Sequence, residues 1–300
     1  MKPVGILAVT QVASWGSLYY AFAVLAPGIG RELGLGPASV FGAFAWSLLV
    51  AGLAATPVGI LIDRFGGRWV LAAGSLLCAL GLAGLARCTG VASYYGAWTV
   101  IGLAMALSLY EAAFATLNRK LAGGARQAIS TLTLFGGLAS TLFWPLTVKL
   151  DAMFGWRGTY LWYGAFQSAV CLPLHLLLGR DPIRPAGRQA GRGGNGQTLG
   201  QAVRHPVFWK LALAFSANTF IFSAMSVHLI AVLRQLGQPP GMAVLLATLV
   251  GPMQVAGRVG EMTIARGAAP GRIGAFTFAA LPAALLLLML PGAHASLAAA

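Results

Sequence analysis

Three groups of residues have types and spacings that can act on a small solute. Gln254 and Arg258, in Gly251-Pro252-Met253-Gln254-Val255-Ala256-Gly257-Arg258, lie one helical turn apart on a single face. A guanidinium and an amide donor facing one cavity can hold a carboxylate by paired hydrogen bonds. The same arginine can instead pair with nearby Glu261 or reach with its long stem towards the membrane surface, and both readings stay open. Gln11, Trp15 and Tyr19 recur every four residues and form a polar-aromatic stripe, with Ser14, Ser17 and Tyr20 beside it. A cavity wall, a packing seam or an interfacial aromatic belt would all be written this way. Glu111, in Ser108-Leu109-Tyr110-Glu111, precedes Arg119 by eight residues, which places it roughly 12 Å from the helix end at 1.5 Å per residue. Buried there it would favour its protonated form, as a proton-coupling group must. Pairing with an arginine of a neighbouring helix is the structural alternative. Asn218, with Ser216, Thr219, Ser223 and His228, supplies candidates for a facing wall, His228 reading as a structural histidine towards one end.

The elements that must position these groups are membrane helices. Of 300 residues 58% are hydrophobic and 9% charged, whereas soluble domains carry roughly a quarter charged. Forty glycines suit helices packed closely in a bilayer. Crossing the hydrocarbon takes about 20 apolar residues. Nine stretches qualify, near 5–29, 38–62, 69–87, 93–118, 127–149, 157–179, 207–233, 241–264 and 273–291. The first is read as a span and not a removable signal, since no small-residue cleavage site follows it. The fold class expected is therefore all-α and polytopic.

The net charge of +14 excludes little by itself, but the basic residues fall in short loops between apolar runs, which points to topology and away from a nucleic-acid partner. With the N-terminus inside, fourteen Lys and Arg lie on the inner side and five on the outer, Arg258 standing within a span. The expectation is a multi-pass protein of the plasma (inner) membrane with a cytoplasmic N-terminus, acting as a monomer in the lipid bilayer. Cys78, Cys88 and Cys171 are scattered with no metal-ligand spacing. No P-loop is present, and glycine pairs such as Gly123-Gly124 lack the strand–loop–helix setting of a phosphate cradle. No cofactor, no metal and no enzymatic activity are expected.

Gly59-Ile60-Leu61-Ile62-Asp63-Arg64-Phe65-Gly66-Gly67-Arg68 closes the second span and opens the third. A carboxylate beside two guanidiniums at a helix end can lock neighbouring helices through charge-assisted hydrogen bonds. This run resembles the G-x-L-x-D-R-x-G-R-R signature of the major facilitator superfamily of secondary transporters. Gly59, Leu61, Asp63, Arg64, Gly66 and Arg68 match it, and Gly67 stands where a basic residue is usual. Phe154-Gly155-Trp156-Arg157 and His205-Pro206-Val207-Phe208-Trp209 resemble the starts of that family's sixth and seventh helices more weakly, and Tyr19-Tyr20-Ala21-Phe22 looks like its carboxylate-transporting branch. The oxalate/formate and monocarboxylate branch places an arginine in the eighth helix to bind an anion, which is where Arg258 falls.

The resemblance implies two six-helix halves. Arg31-Glu32-Leu33-Gly34-Leu35-Gly36-Pro37 and Arg234-Gln235-Leu236-Gly237-Gln238-Pro239-Pro240 both read R-x-L-G-x-x-P, at an offset of 203 residues. Leu-Gly there reads as a helix stop and Pro as the next helix start. The domain expectation is a six-helix bundle over 1–179, a basic Gly/Pro-rich linker over 180–204, and a partial bundle over 205–300. Three of the family's twelve helices are not in the sequence, so a truncated form is expected. At 261–272 no acidic residue stands where a second copy of Asp63 would fall. The fifth span lacks the G-P-x-x-G-G run of the family's drug/proton antiporters.

By this resemblance Asp63, Arg64 and Arg68 gate the cytoplasmic side, with Gly59 and Gly66 in the gate motif. Arg258 and Gln254, with Tyr19, Trp15, Gln11 and Asn218, bind a small organic anion of monocarboxylate type, and Glu111 couples a proton. A proton-driven drug or metabolite exporter is the alternative, as is a membrane protein that transports nothing.

Overall fold

The computed structural model describes residues 2–121, 124–179, 199–263 and 270–289. Every regular element in them is helical: α1 (Lys2–Trp15), a π-turn (Gly16–Tyr20), α2 (Ala21–Leu33), α3 (Pro37–Phe65), α4 (Gly67–Arg87), α5 (Val91–Ser108) and α6 (Tyr110–Lys120). These are followed by α7 (Ala125–Gly137), α8 (Ala139–Phe166), a second π-turn (Gln167–Cys171), α9 (Leu172–Leu176), α10 (Leu199–Arg204), α11 (Pro206–Gln235), α12 (Pro240–Thr248), α13 (Val250–Thr263) and α14 (Pro270–Met289). Among the described residues seven helical stretches are long and apolar enough to cross a membrane. The expected fifth and sixth spans run together as Ala125–Leu176, bent at Gly155, whose φ of 67° only glycine adopts without strain.

The two R-x-L-G segments fold alike. Gly34 and Gly237 both have positive φ, 65° and 88°. Leu35 N donates to Gly30 O at 2.9 Å and Gln238 N to Leu233 O at 3.1 Å. Each is the six-to-one bond of a helix-ending Schellman turn. Pro37 and Pro240 then open the next helices, where a missing N–H costs nothing.

The chain divides into two compact units. One comprises residues 1–181 with Gly241–Arg258, and the other 182–240 with 259–300. The segment bearing Gln254 and Arg258 thus packs with the N-terminal helices. Of the expected linker, 180–198 lies outside the described residues, while Leu199–Arg204 is a short helix whose Val203 O accepts from Trp209 Nε1 at 2.8 Å. The expected decayed motif copy at 261–272 includes 264–269, also outside the described residues. In the second unit Phe215 meets Phe278 edge to face at 5.2 Å.

The first unit has two apolar cores. Near the Asp63 end Leu7, Ile62, Leu71, Ala113, Leu117 and Leu132 are buried together among alanines that let helices approach. Near the Glu32 end Phe22 stacks on Phe44 at 4.6 Å, and Trp98 stands edge-on to both.

Between the cores the helices are interrupted. The π-turns at Gly16–Tyr20 and Gln167–Cys171 and the breaks at Leu109, Leu138 and Leu249 all belong to this unit. A membrane interior tolerates such breaks only where neighbouring groups satisfy the freed backbone. That is what the packing does. Gln11 Nε2 donates to Ser108 O at 2.6 Å, beside the extended Leu109. Thr141 Oγ1 donates to Thr248 O at 2.9 Å, beside the break at Leu249, and Trp144 Nε1 donates to Tyr20 O at 3.2 Å. Side-chain-sized gaps are filled from across the bundle: a Cβ at Gly16 would overlap the Phe143 ring, and one at Gly251 would overlap Thr141.

Candidate functional site

The interruptions gather an aromatic cluster. Trp15 meets Tyr19 at 5.3 Å and Tyr110 at 5.0 Å, and Tyr110 stacks on Phe114 at 5.0 Å. Tyr20, behind them, packs edge-on to Trp144 at 5.5 Å. Helix α13 meets this cluster along the face predicted from the four-residue spacing. The Gln254 amide lies against the Tyr20 hydroxyl and packs on Gly137. Its Nε2 reaches no described acceptor in hydrogen-bond geometry. One turn on, Arg258 lies within electrostatic reach of the Tyr110 hydroxyl, which also senses Glu111. The Arg258 side chain is exposed. Among the described residues no carboxylate forms an ion pair with it; the side chain of Glu261 lies outside them.

Arg258 and Gln254 thus lie near Tyr110 and Tyr20, which pack in turn on Trp15, itself against Tyr19. Gln11 departs from the expected stripe: it is fully buried and turned to Ser108 inside the bundle. Asn218 sits on α11 in the second unit, partly buried. Glu111 was expected to be buried, and it is exposed. The break at Leu109 makes Glu111 a first-turn residue of α6 instead of a mid-span one. Sequence reasoning missed Tyr110, which joins Trp15, Phe114, Arg258 and Glu111. Its adjacency to Glu111 was the available signal.

At the Asp63 end, where Asp63, Arg64 and Arg68 are expected to pair across helices, one such contact is present. The partner of Asp63 is Arg119 of α6, whose Nη1 donates to Asp63 O at 2.7 Å and lies 3.7 Å from Asp63 Oδ1. Arg64 covers the Phe65 ring at 5.2 Å and Arg68 the Trp69 ring at 4.9 Å, as cation–π contacts. Gly66 turns the chain at φ 85°. Gly67 is pressed against Thr116, so a side chain there would overlap it. Gly59 faces open space on α3. Lys120 donates to Gly179 O, tying α6 to the end of the α9 segment.

The opposite end holds a fully connected charge cluster. Glu32 accepts from Trp156 Nε1 at 2.5 Å and from Arg157 Nε at 2.7 Å. Arg157 also donates to Ala86 O at 2.7 Å and Cys88 O at 2.8 Å and covers the Trp156 ring at 4.3 Å. One guanidinium thereby joins α2, α4 and α8. Burial pushes the Cys88 thiol up from its usual range, against a smaller opposing effect of Arg157.

A signature turn at Asp63–Arg68, repeated Schellman turns 203 residues apart and long apolar helices with interruptions define a polytopic membrane protein. The family model of the Major Facilitator Superfamily matches residues 7–300, and the chain belongs to that family. It is 31% identical over 222 residues to an uncharacterized 38 kDa protein in the 23S RNA operon of Thermoproteus tenax, covering 73% of this chain and 56% of that one. It is 29% identical over 208 residues to monocarboxylate transporter 13 of Bos taurus, covering 68% and 47%. Monocarboxylate transporter 1 of Rattus norvegicus is 33% identical over 139 residues, covering 44% and 26%. The chain thus spans about half the length, or less, of the curated relatives it matches.

Proposed function

We propose that this protein is a secondary transporter that moves a small organic anion of monocarboxylate type by alternating access. The observation that carries the reading is the α13 face. Gln254 brings an amide N–H with no acceptor in hydrogen-bond geometry among the described residues, and Arg258 an exposed guanidinium, one turn apart, to a cluster of Trp15, Tyr19, Tyr20 and Tyr110. A carboxylate offers paired acceptors to such donors, and aromatic walls accept its short apolar tail. The similarity to monocarboxylate transporters supports the same solute class. Glu111 is the acid available for proton symport, with anion exchange the mode that needs no acid. The Asp63–Arg119 contact gates the end we assign to the cytoplasm of a bacterial-type inner membrane.

The test is uptake of radiolabelled short carboxylates into proteoliposomes, with and without a pH gradient. Saturable uptake abolished by Arg258→Ala is expected, and Glu111→Gln should lose only the response to the gradient. Uptake unchanged in Arg258→Ala, or no carboxylate moved by wild type while a bulky aromatic cation is, would overturn the anion reading in favour of an exporter.

A further inference from the structure

The two π-turns are joined by one side chain. Gln167 Nε2 donates to Ser17 Oγ at 3.0 Å and to Ser14 Oγ at 3.3 Å. Ser17 donates its own proton to Ala13 O at 2.7 Å, so towards Gln167 it only accepts, and the amide can face one way alone. One turn along the same face of α1, Gln11 Nε2 donates to Ser108 O at 2.6 Å. A carbonyl only accepts, so this amide is fixed too.

Two acceptors and one donor are left over. Gln11 Oε1 and Gln167 Oε1 have no partner among the described residues, and both residues are 0% exposed. Ser14, equally buried, accepts from Gln167, and its proton has no acceptor among the described residues. Each unpaired amide oxygen carries the full desolvation penalty of a buried carbonyl.

We propose that an ordered water molecule is bound here, donating to Gln11 Oε1 and Gln167 Oε1 and accepting from Ser14 Oγ. Three hydrogen bonds are the usual complement of a buried water. A monovalent cation would meet the same oxygens, but the neighbouring polar groups carry no negative charge to compensate it. Ser108 donates to Ala104 O and faces the Cys78 thiol, and His175 is held between Ser75 Nδ1-side and Thr10 Nε2-side hydroxyls at 2.8 and 3.0 Å. A bare ion would be far more costly to bury than a neutral water. The water closes a path from Ser108 on α5, through Gln11, to Gln167 in the second π-turn. It therefore holds the turn that sets Tyr19 and Tyr20 in place.

The test is a double-variant cycle on the purified chain in detergent, read by thermal unfolding. Gln11→Met and Gln167→Met each release the water, so the double variant should lose clearly less than the two single losses together. If the double variant does not fold, Ser14→Ala replaces Gln167→Met in the cycle, since Ser14 and Gln11 share no direct hydrogen bond. A density map resolving ordered water should show a peak within hydrogen-bond distance of all three oxygens. Additive losses with no peak would overturn the proposal. So would a midpoint that rises with sodium but not with choline, which would assign the site to a cation.

Discussion

Gly67 shows how one residue can depart from a signature for a reason visible only in three dimensions. Its Cα lies where Thr116 of α6 closes on the start of α4. Restoring the basic residue usual in the family, as Gly67→Arg, would drive a side chain into that contact. We expect a loss of about 1–3 kcal/mol, the scale of overpacking, measured as a lower unfolding midpoint, with Thr116→Ala recovering part of it. Gly66→Ala should also destabilise, because φ is 85° there. The signature's letters were legible in the sequence, as was the acidic role of Asp63. Its partner was not, because Arg119 stands 56 residues away and only the crossing of α3 with α6 brings them together. The same holds for Gln11. The four-residue spacing put it in a stripe with Trp15 and Tyr19, but the break at Leu109 freed a carbonyl beside it, and the amide turned to Ser108.

At the scale of elements, the helix ends were written plainly. Gly34 and Gly237 end helices and Pro37 and Pro240 begin them because left-handed backbone and a missing donor suit those residues alone. The interruptions inside the spans were not legible. A π-turn inserts one residue without changing composition, and Leu109, Leu138 and Leu249 are ordinary helix formers, so tertiary contacts decide where the helices yield. Arg157 ties elements together through Glu32 on α2, Ala86 and Cys88 at the end of α4, and Trp156 on α8. Lysine has no fork to reproduce them. Arg157→Lys should lower stability by about 1–3 kcal/mol, as lost charged hydrogen bonds do. Burial holds the Cys88 thiol protonated at neutral pH, so it should react slowly with maleimide. With Cys78 and Cys171 replaced by Ser, Arg157→Lys should speed that labelling several-fold, and an unchanged rate would mean the cluster does not hold the end of α4.

For the whole molecule, the membrane class and the family followed from composition and one loop, while the site needed the fold. Spacing put Gln254 and Arg258 on one helix face, but Tyr20 and Tyr110, which lie near them, come from distant helices and were not assigned to that face. In the proposed function the α13 face is the anion anchor. The most direct measurement is equilibrium binding of a radiolabelled short monocarboxylate to the purified protein, comparing wild type with Arg258→Ala and Arg258→Lys. We expect saturable binding in wild type and an affinity reduced about 10- to 100-fold in Arg258→Ala, the weight of one charged hydrogen-bonding group. Arg258→Lys should fall between them, since it keeps the charge and loses the fork. Equal affinity in wild type and Arg258→Ala would contradict an anion-binding role for the α13 face.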